Sequence, residues 1–317
     1  MDFRTRPGKY RPRTLARHFS ISRRRALRMN PVVQGMLWSA LAGLGFCLLN
    51  TLMRQLTLQL DLFQVQFLRY LFGFLVMLPL MLRSGLLAYR PKKIGLQLGR
   101  GAIHTLGLCF WFAALPQIPL ADMTAIGFTQ PIFILIGAYL FMREPMHWER
   151  WLAAAIGFAG ILLVVGPKLT GAGGLYNLVM LASAPLFAIS FLIAKALTHH
   201  EKPEVIVVWL AFSVTLFSLP MALLHWQAPT LLQWGLFLVC GTLGSLSHYC
   251  LTRSFGLADI SSTQSLKFFD LIWASLLGWL VFSDHPSQST LVGGLVIFAS
   301  TFWIARREAR RSGQAKA

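Results

Sequence analysis

Long apolar runs alternate along the chain with short connections that are rich in glycine, proline and charge. The runs are about 20 residues long, the length of an α-helix that crosses ~30 Å of hydrocarbon. None of the connections is long enough for a water-soluble domain. The pattern therefore predicts an all-α membrane protein with ten transmembrane helices. We number the predicted spans one to ten; they cover residues 32–52, 63–82, 98–116, 121–142, 149–166, 174–195, 205–225, 231–252, 259–282 and 288–305.

The composition supports this class and excludes water-soluble enzymes. Hydrophobic residues make up 56% of the 317 residues, and charged residues make up 13%. A soluble domain carries roughly 25% charged residues. A soluble protein of this length has too little interior to bury so many apolar side chains, so lipid must surround much of the surface.

The basic residues predict how the chain is oriented in the membrane. Most of the net charge of +18 lies in two tails, residues 1–31 and 306–317. With a cytoplasmic N-terminus, 25 of the 29 basic residues fall in the tails and inside loops, among them Arg100, and two fall outside. Cytoplasmic segments carry an excess of Lys and Arg. We therefore expect an inner-membrane protein with both termini cytoplasmic, its basic tails near membrane lipids. Nucleic acid is not an expected partner, because no DNA-binding fold accompanies the basic arm.

An internal repeat divides the chain into residues 32–166 and 174–305. Leu-Ala-Asp ends at Asp122 in the first half and at Asp259 in the second, and each is followed by an acidic residue near a proline and a Gly-rich span. Each half holds five spans, so the second enters the membrane with opposite polarity. Inverted repeats of this kind build secondary transporters whose site lies near the midplane between the halves. Rocking of the halves would open that site to alternate sides.

The chain resembles the EamA-type members of the drug/metabolite transporter superfamily. The residues that carry the resemblance are 68–73, 119–122, 128–131, 141–145, 157–163, 248–253, 257–259 and 271–279. The resemblance implies two inverted five-helix EamA repeats, both termini inside, and a central cavity lined mainly by spans 1, 3, 4, 6, 8 and 9. It also implies peripheral fifth and tenth spans, and a homodimer as in some relatives. Lys267 departs from the family pattern, where relatives often carry an aromatic-acidic-aromatic triplet.

Three charged residues lie at membrane depth, away from the ends of the spans, and charge there is a functional hypothesis by default. Lys267 and Asp270 lie three residues apart on one helix face. They form either a structural ion pair or a cavity-lining pair, in which Lys267 binds a carboxylate or phosphate and Asp270 a proton or an amine. Gln264 extends this polar face. Arg69 is interpreted as structural, with substrate contact as the alternative.

Further polar and aromatic side chains are candidates for substrate binding. His248 in the eighth span corresponds to Trp111 in the third when the two Leu-Ala-Asp landmarks are superposed. Both are expected to face the centre, and His248 and Asp270 are candidates for proton coupling. The remaining candidates for substrate contact in the spans are Trp38, His104, Ser190 and Tyr249.

Two prolines interrupt spans and free backbone carbonyls there. Thr129 and Gln130 precede Pro131 in the fourth span, and we interpret the three as a hinge that faces substrate. The alternative is a tolerated kink in which Gln130 bonds another helix. Pro185 is expected to act likewise in the sixth span.

No catalytic or cofactor motif is present in the sequence. There is no phosphate-binding G-x-x-x-x-G-K-[ST] loop and no His-Glu-x-x-His pair. The four cysteines lack metal-ligand spacing and are expected to be free thiols. We therefore predict no enzyme activity, no cofactor and no metal site.

Taken together, these features predict a secondary transporter that works by alternating access on a small organic metabolite. Amino-acid derivatives, vitamin- or nucleoside-like compounds and metallophores fit as solutes. The family resemblance slightly favours export over import. The coupling ion would be the proton. The alternatives are a membrane-embedded lipid-handling enzyme and a non-transporting membrane scaffold.

Overall fold

The computed structural model describes residues 30–127, 129–143, 148–166, 174–258 and 269–284, with shorter pieces at 260, 263, 288–289, 291–296, 299–300, 303 and 307. Apart from a 3₁₀ turn at Leu86–Tyr89, the regular elements of this part are all α-helices. The helices are α1 (Pro31–Thr57), α2 (Leu62–Ser84), α3 (Ile94–Ala114), α4 (Leu120–Gly127), α5 (Thr129–Met142), α6 (Trp148–Val165), α7 (Gly174–Leu197), α8 (Pro203–Leu224), α9 (Leu231–Leu257) and α10 (Phe269–Phe282).

The helices follow the predicted spans. Helices α1 to α3 correspond to spans one to three, α4 and α5 together to span four, and α6 to α10 to spans five to nine. Five of them, α1, α2, α7, α8 and α9, are long and apolar enough to cross a membrane. The all-α class is thus confirmed for the described residues, while the count of ten stays a prediction.

Several helices are longer than their spans, and α3 corrects the placement of Arg100. The basic-residue count assigned Arg100, at the very start of the third span, to the inside loops, but α3 begins six residues before it at Ile94. Arg100 lies inside this helix with only 1% of its surface exposed. Its Nη1 donates a hydrogen bond of 3.2 Å to the carbonyl oxygen of Ile206 in α8.

Two helix starts illustrate how the sequence sets the boundaries. The Asn30 side chain accepts a hydrogen bond from the Val32 amide, and Pro31 occupies the first turn of α1. The Asp61 carboxylate accepts hydrogen bonds from the first amides of α2. Such caps satisfy amides that lack a partner within the helix. Asp61 is therefore engaged at the end of α2.

The two predicted halves interlock. Among the described residues, the most extensive helix contacts all join a helix of the first half to one of the second: α1 with α9, α3 with α7, α2 with α8, α2 with α9, α3 with α8 and α5 with α7. When the halves are exchanged, so that α1 and α7, α2 and α8, and α3 and α9 change places, the first five of these pairs map onto one another. The packing therefore has the pseudo-two-fold character expected of a repeat.

Two helix–helix contacts between the halves, α2 with α9 and α3 with α8, depend on glycine. A Cβ atom built on Gly241 of α9 would lie 2.7 Å from the backbone nitrogen of Gly73 in α2. On Gly101 of α3, it would overlap Ser213 of α8. These two helix pairs exchange under the pseudo-two-fold, and in both the helices approach closely because one residue has no side chain.

Contacts between helix ends sort into the two sides that the predicted threading assigns. On the predicted outer side, Arg54 at the end of α1 forms an ion pair with Asp284 after α10. On the predicted inner side, Lys195 at the end of α7 donates hydrogen bonds of 2.7 and 2.8 Å to the carbonyl oxygens of Phe255 and Ala258. A cation there suits the negative end of the α9 dipole.

Candidate functional site

A cavity lies between the two halves. Its described lining residues come from α1, α2, α3, α4, α5, α7, α9 and α10. The cavity volume is about 150 Å³, whereas a single water needs only ~10–15 Å³. The cavity is therefore large enough for an organic solute.

Aromatic and apolar side chains form most of the cavity wall, and a few polar groups interrupt it. Walls of this composition bind organic ligands through apolar contact, while the polar groups set their orientation. The described lining residues are Phe46, Cys47, Leu49, Asn50, Met53, Arg69, Tyr70, His104, Leu108, Trp111, Phe112, Thr124, Gly127, Gln130, Phe187, Phe191, His248 and Asp270.

His104 links three helices beside the cavity. Its Nε2 shares a hydrogen bond of 3.0 Å with the Tyr70 hydroxyl of α2, and its Nδ1 shares one of 3.0 Å with the Ser190 hydroxyl of α7. A hydroxyl can donate or accept, so either neutral tautomer of the imidazole is satisfied. The His248 ring from α9 stands edge-on to His104 with the ring centroids 5.6 Å apart. The two histidines thus meet where the halves come together.

Asp270 reaches the cavity across a glycine. Its carboxylate lies so close to Gly43 of α1 that a Cβ atom on this glycine would overlap it. The Cys47 thiol, one turn further along α1, donates a hydrogen bond of 3.4 Å to the Asp270 carbonyl oxygen. Gly43 therefore leaves room on the surface of α1 for the Asp270 carboxylate, which is the only acidic side chain of α10.

The structure brings together five of the residues singled out for substrate binding. His104, Trp111, Gln130, His248 and Asp270 all line the cavity. The Gln130 amide nitrogen is buried and has no hydrogen-bond partner among the described residues. A donor in that state is available to a ligand.

Other candidates lie beside the cavity instead of on its described surface. Trp38 and Tyr249 contact each other edge to face, with ring centroids 6.2 Å apart. Ser190 is fully buried, and its hydroxyl is bonded to the cavity-lining His104. The Thr129 hydroxyl donates a hydrogen bond to the carbonyl oxygen of Ile126 in the preceding turn.

The remaining candidates concern helix shape and the ninth span. Pro185 lies inside α7, a helix that continues from Gly174 to Leu197. Pro131 belongs to the first turn of α5. Gln264 and Lys267 lie outside the described residues.

The second span contributes to the cavity, which the family resemblance had not indicated and the sequence pattern had offered only as the alternative role of Arg69. Spans 1, 3, 4, 6, 8 and 9 all supply lining residues as expected, and α2 adds Arg69 and Tyr70. Tyr70 was missed because an aromatic residue in an apolar helix looks like ordinary core. Its position next to an intramembrane arginine is the one signal that could have identified it.

Comparisons with known proteins decide the family. The profile of the EamA-like transporter family matches this chain twice, at residues 33–166 and 174–306. The chain belongs to the EamA-like transporter family. A riboflavin transporter of Rhizobium johnstonii is 36% identical to this EamA protein over 289 residues, which cover 90% of this chain and 95% of the relative. An S-adenosylmethionine uptake transporter of Rickettsia bellii is 27% identical over 277 residues, which cover 86% of this chain and 94% of the relative.

A solved crystal structure has the same fold. It superimposes on this EamA chain with a TM-score of 0.66 at 17% identity, and the match covers 85% of this chain and 98% of the other. Together, the family match and the apolar helices identify the protein as a multi-pass membrane transporter of small metabolites.

Proposed function

We propose that this EamA protein carries a flat heteroaromatic metabolite with a polar arm, of which riboflavin is the example to test first, across the inner membrane by alternating access. The observation that carries the proposal is the cavity between the halves, which the rings of Trp111, Phe112 and Phe187 line together with Gln130 and Asp270. Flat rings stack on aromatic side chains, and the polar groups can bond the edge of the ring and the arm. The names of the two relatives support the same type of solute.

The domain plan is part of the proposal. It comprises two inverted five-helix repeats, residues 32–166 and 174–305, with cytoplasmic tails 1–31 and 306–317. The end contacts support opposite polarity, because each joins positions that the threading places on the same side. Since the most extensive contacts cross between the halves, the moving bodies contain helices of both halves.

Transport by purified protein in liposomes tests the proposal. We expect riboflavin to cross, unchanged, from either side down its gradient. Excess S-adenosylmethionine is tested as a competitor. Trp111→Ala should weaken apparent affinity by about 5- to 150-fold, because loss of one stacking aromatic costs ~1–3 kcal/mol. Trp279→Ala is the matched control, since Trp279 is 51% exposed on α10. Chemical change of a lipid or of the solute without any flux would instead favour a membrane-embedded enzyme.

Proton coupling is the second part of the same test. Asp270 and His248 line the cavity and can exchange protons with it. We expect an imposed pH gradient to drive riboflavin uphill, and we expect Asp270→Asn to abolish this coupling. If Asp270→Asn and His248→Ala both left transport and its pH dependence intact, the cavity residues would not be the site.

A further inference from the structure

Arg69 is a buried cation that lines the cavity, and no carboxylate of the described residues forms an ion pair with it. Only 6% of its surface is exposed, and it lies seven residues into α2. None of the described carboxylates, Asp270 included, lies within 4.0 Å of its guanidinium. The nearest acidic residue in the sequence, Asp61, caps the start of α2. Charge at this depth costs at least ~2.5–3.5 kcal/mol on insertion scales and so requires an explanation.

The surroundings hold the Arg69 guanidinium in place. Its central carbon lies 3.8 Å from the centroid of the Tyr70 ring, and the Tyr70 hydroxyl is in turn bonded to His104. Gly244 of α9 also approaches the guanidinium, since a Cβ atom on this glycine would lie 2.7 Å from Nη2. The arginine therefore lies against an aromatic ring and a glycine, and it also lines the cavity.

Water alone does not account for this arrangement. A second space of about 10 Å³ adjoins Arg69, Tyr70 and His248, which is room for about one water. A water can accept one hydrogen bond from the guanidinium, but it does not neutralise the charge. Arginine has five N–H donors in a planar fork that suits carboxylate and phosphate oxygens.

We propose that Arg69 is the subsite for an oxyanion, a carboxylate or a phosphate, on the polar arm of the transported solute. The inference rests on the proposed function and adds to it that heteroaromatic solutes with an anionic arm bind more tightly than neutral ones such as riboflavin. Gln130 complements Arg69, because its buried amide nitrogen is a second donor without a partner among the described residues. The aromatic wall takes the ring, and these two donors take the oxygens.

Pairs of compounds that differ only in the anion test this subsite. One pair is riboflavin and riboflavin 5′-phosphate, and the other is S-adenosylmethionine and its decarboxylated form; they distinguish phosphate from carboxylate. Equilibrium binding to the full-length protein in lipid nanodiscs gives an affinity ratio within each pair. We expect the parent to prefer the anionic member of at least one pair by tenfold or more. Arg69→Gln should bring that ratio to about one, and Arg69→Lys should retain part of it.

Control variants separate binding from folding. Arg83→Gln removes the same charge from the exposed end of the same helix, and it should leave the ratio unchanged. Gly244→Ala would displace the guanidinium without removing it, and it should lower the ratio even if Arg69→Gln fails to fold. A parent ratio near one, or a ratio that survives both Arg69→Gln and Gly244→Ala, would overturn the subsite. Binding of no compound by the parent would instead refute the proposed function.

Discussion

The ion pair between Arg54 and Asp284 is expected to hold one end of the cavity closed. Arg54 Nη1 and Asp284 Oδ2 are 2.5 Å apart, and the two side chains are only 12% and 22% exposed. The Arg54 guanidinium also lies 4.4 Å from the centroid of the Phe282 ring. The pair joins the end of α1 to the end of α10. Arg54 directly follows Met53, which lines the cavity.

The burial of the pair sets the expected magnitude. Exposed ion pairs contribute ~0–1 kcal/mol, and removing one partner of a buried pair costs ~3–5 kcal/mol. About a fifth of Asp284 is exposed, so Asp284→Asn should destabilise the closed state of this end by an intermediate ~2 kcal/mol. The contact between the Arg54 cation and the Phe282 ring remains in this variant. At 1.4 kcal/mol per tenfold change, the open fraction of this end should rise about 30-fold. The double variant that combines Asp284→Asn with Arg54→Gln should have a smaller open fraction than Asp284→Asn alone, because it leaves no unpaired cation at this end.

A native thiol reports the opening. Cys47 lines the cavity and is free, so its rate of alkylation by a polar maleimide should follow the open fraction. The assay uses protein in nanodiscs from which the other cysteines, 109, 240 and 250, have been replaced by serine. Glu201→Gln is the control, because Glu201 accepts hydrogen bonds from the amides of residues 92 and 93 at the opposite end. Labelling of Asp284→Asn within twofold of the parent would refute the idea that this pair closes the cavity.

Two more substitutions probe the walls of the cavity. Tyr70→Phe removes the hydroxyl bonded to His104 and should lower the free energy of unfolding by ~1–3 kcal/mol, measured by denaturant titration in detergent; an unchanged midpoint would mean that His104 finds another partner. Gly43→Ala places a methyl group on the Asp270 carboxylate and should reduce riboflavin flux at least tenfold. Gly99→Ala, where the added atom meets nothing within 4 Å, should not, and equal flux in the two variants would exclude Gly43 as a spacer.

Span positions follow from the sequence because a hydrophobic run of fixed length has few alternatives in a bilayer. Where each polar residue points depends on neighbours that the sequence does not name. Arg100 shows this clearly: its charge suggested a loop, yet it is buried and bonds a carbonyl of α8. Arg69 is a second example, since the sequence alone does not show that its nearest acidic neighbour, Asp61, serves as a helix cap.

The candidate site was partly predictable for a similar reason. Polar residues deep in a span, such as Gln130 and His248, are costly unless they face a cavity or a partner, so their types alone indicate a role. Aromatic lining residues such as Phe187 carry no such signal, because the same side chain packs equally well against lipid or core. Tertiary contacts between the halves decide which aromatic faces inward.

The interlocking of the halves has a consequence for how the protein is made. Helices α1, α2 and α3 find their most extensive neighbours in α9, α8 and α7, which the ribosome synthesises later. The first half therefore enters the bilayer with glycine and serine faces that only lipid or an insertion chaperone can cover. Final assembly has to wait for the last helices, so a truncated chain should be a substrate for membrane proteases, whereas the two halves expressed as separate polypeptides should find each other.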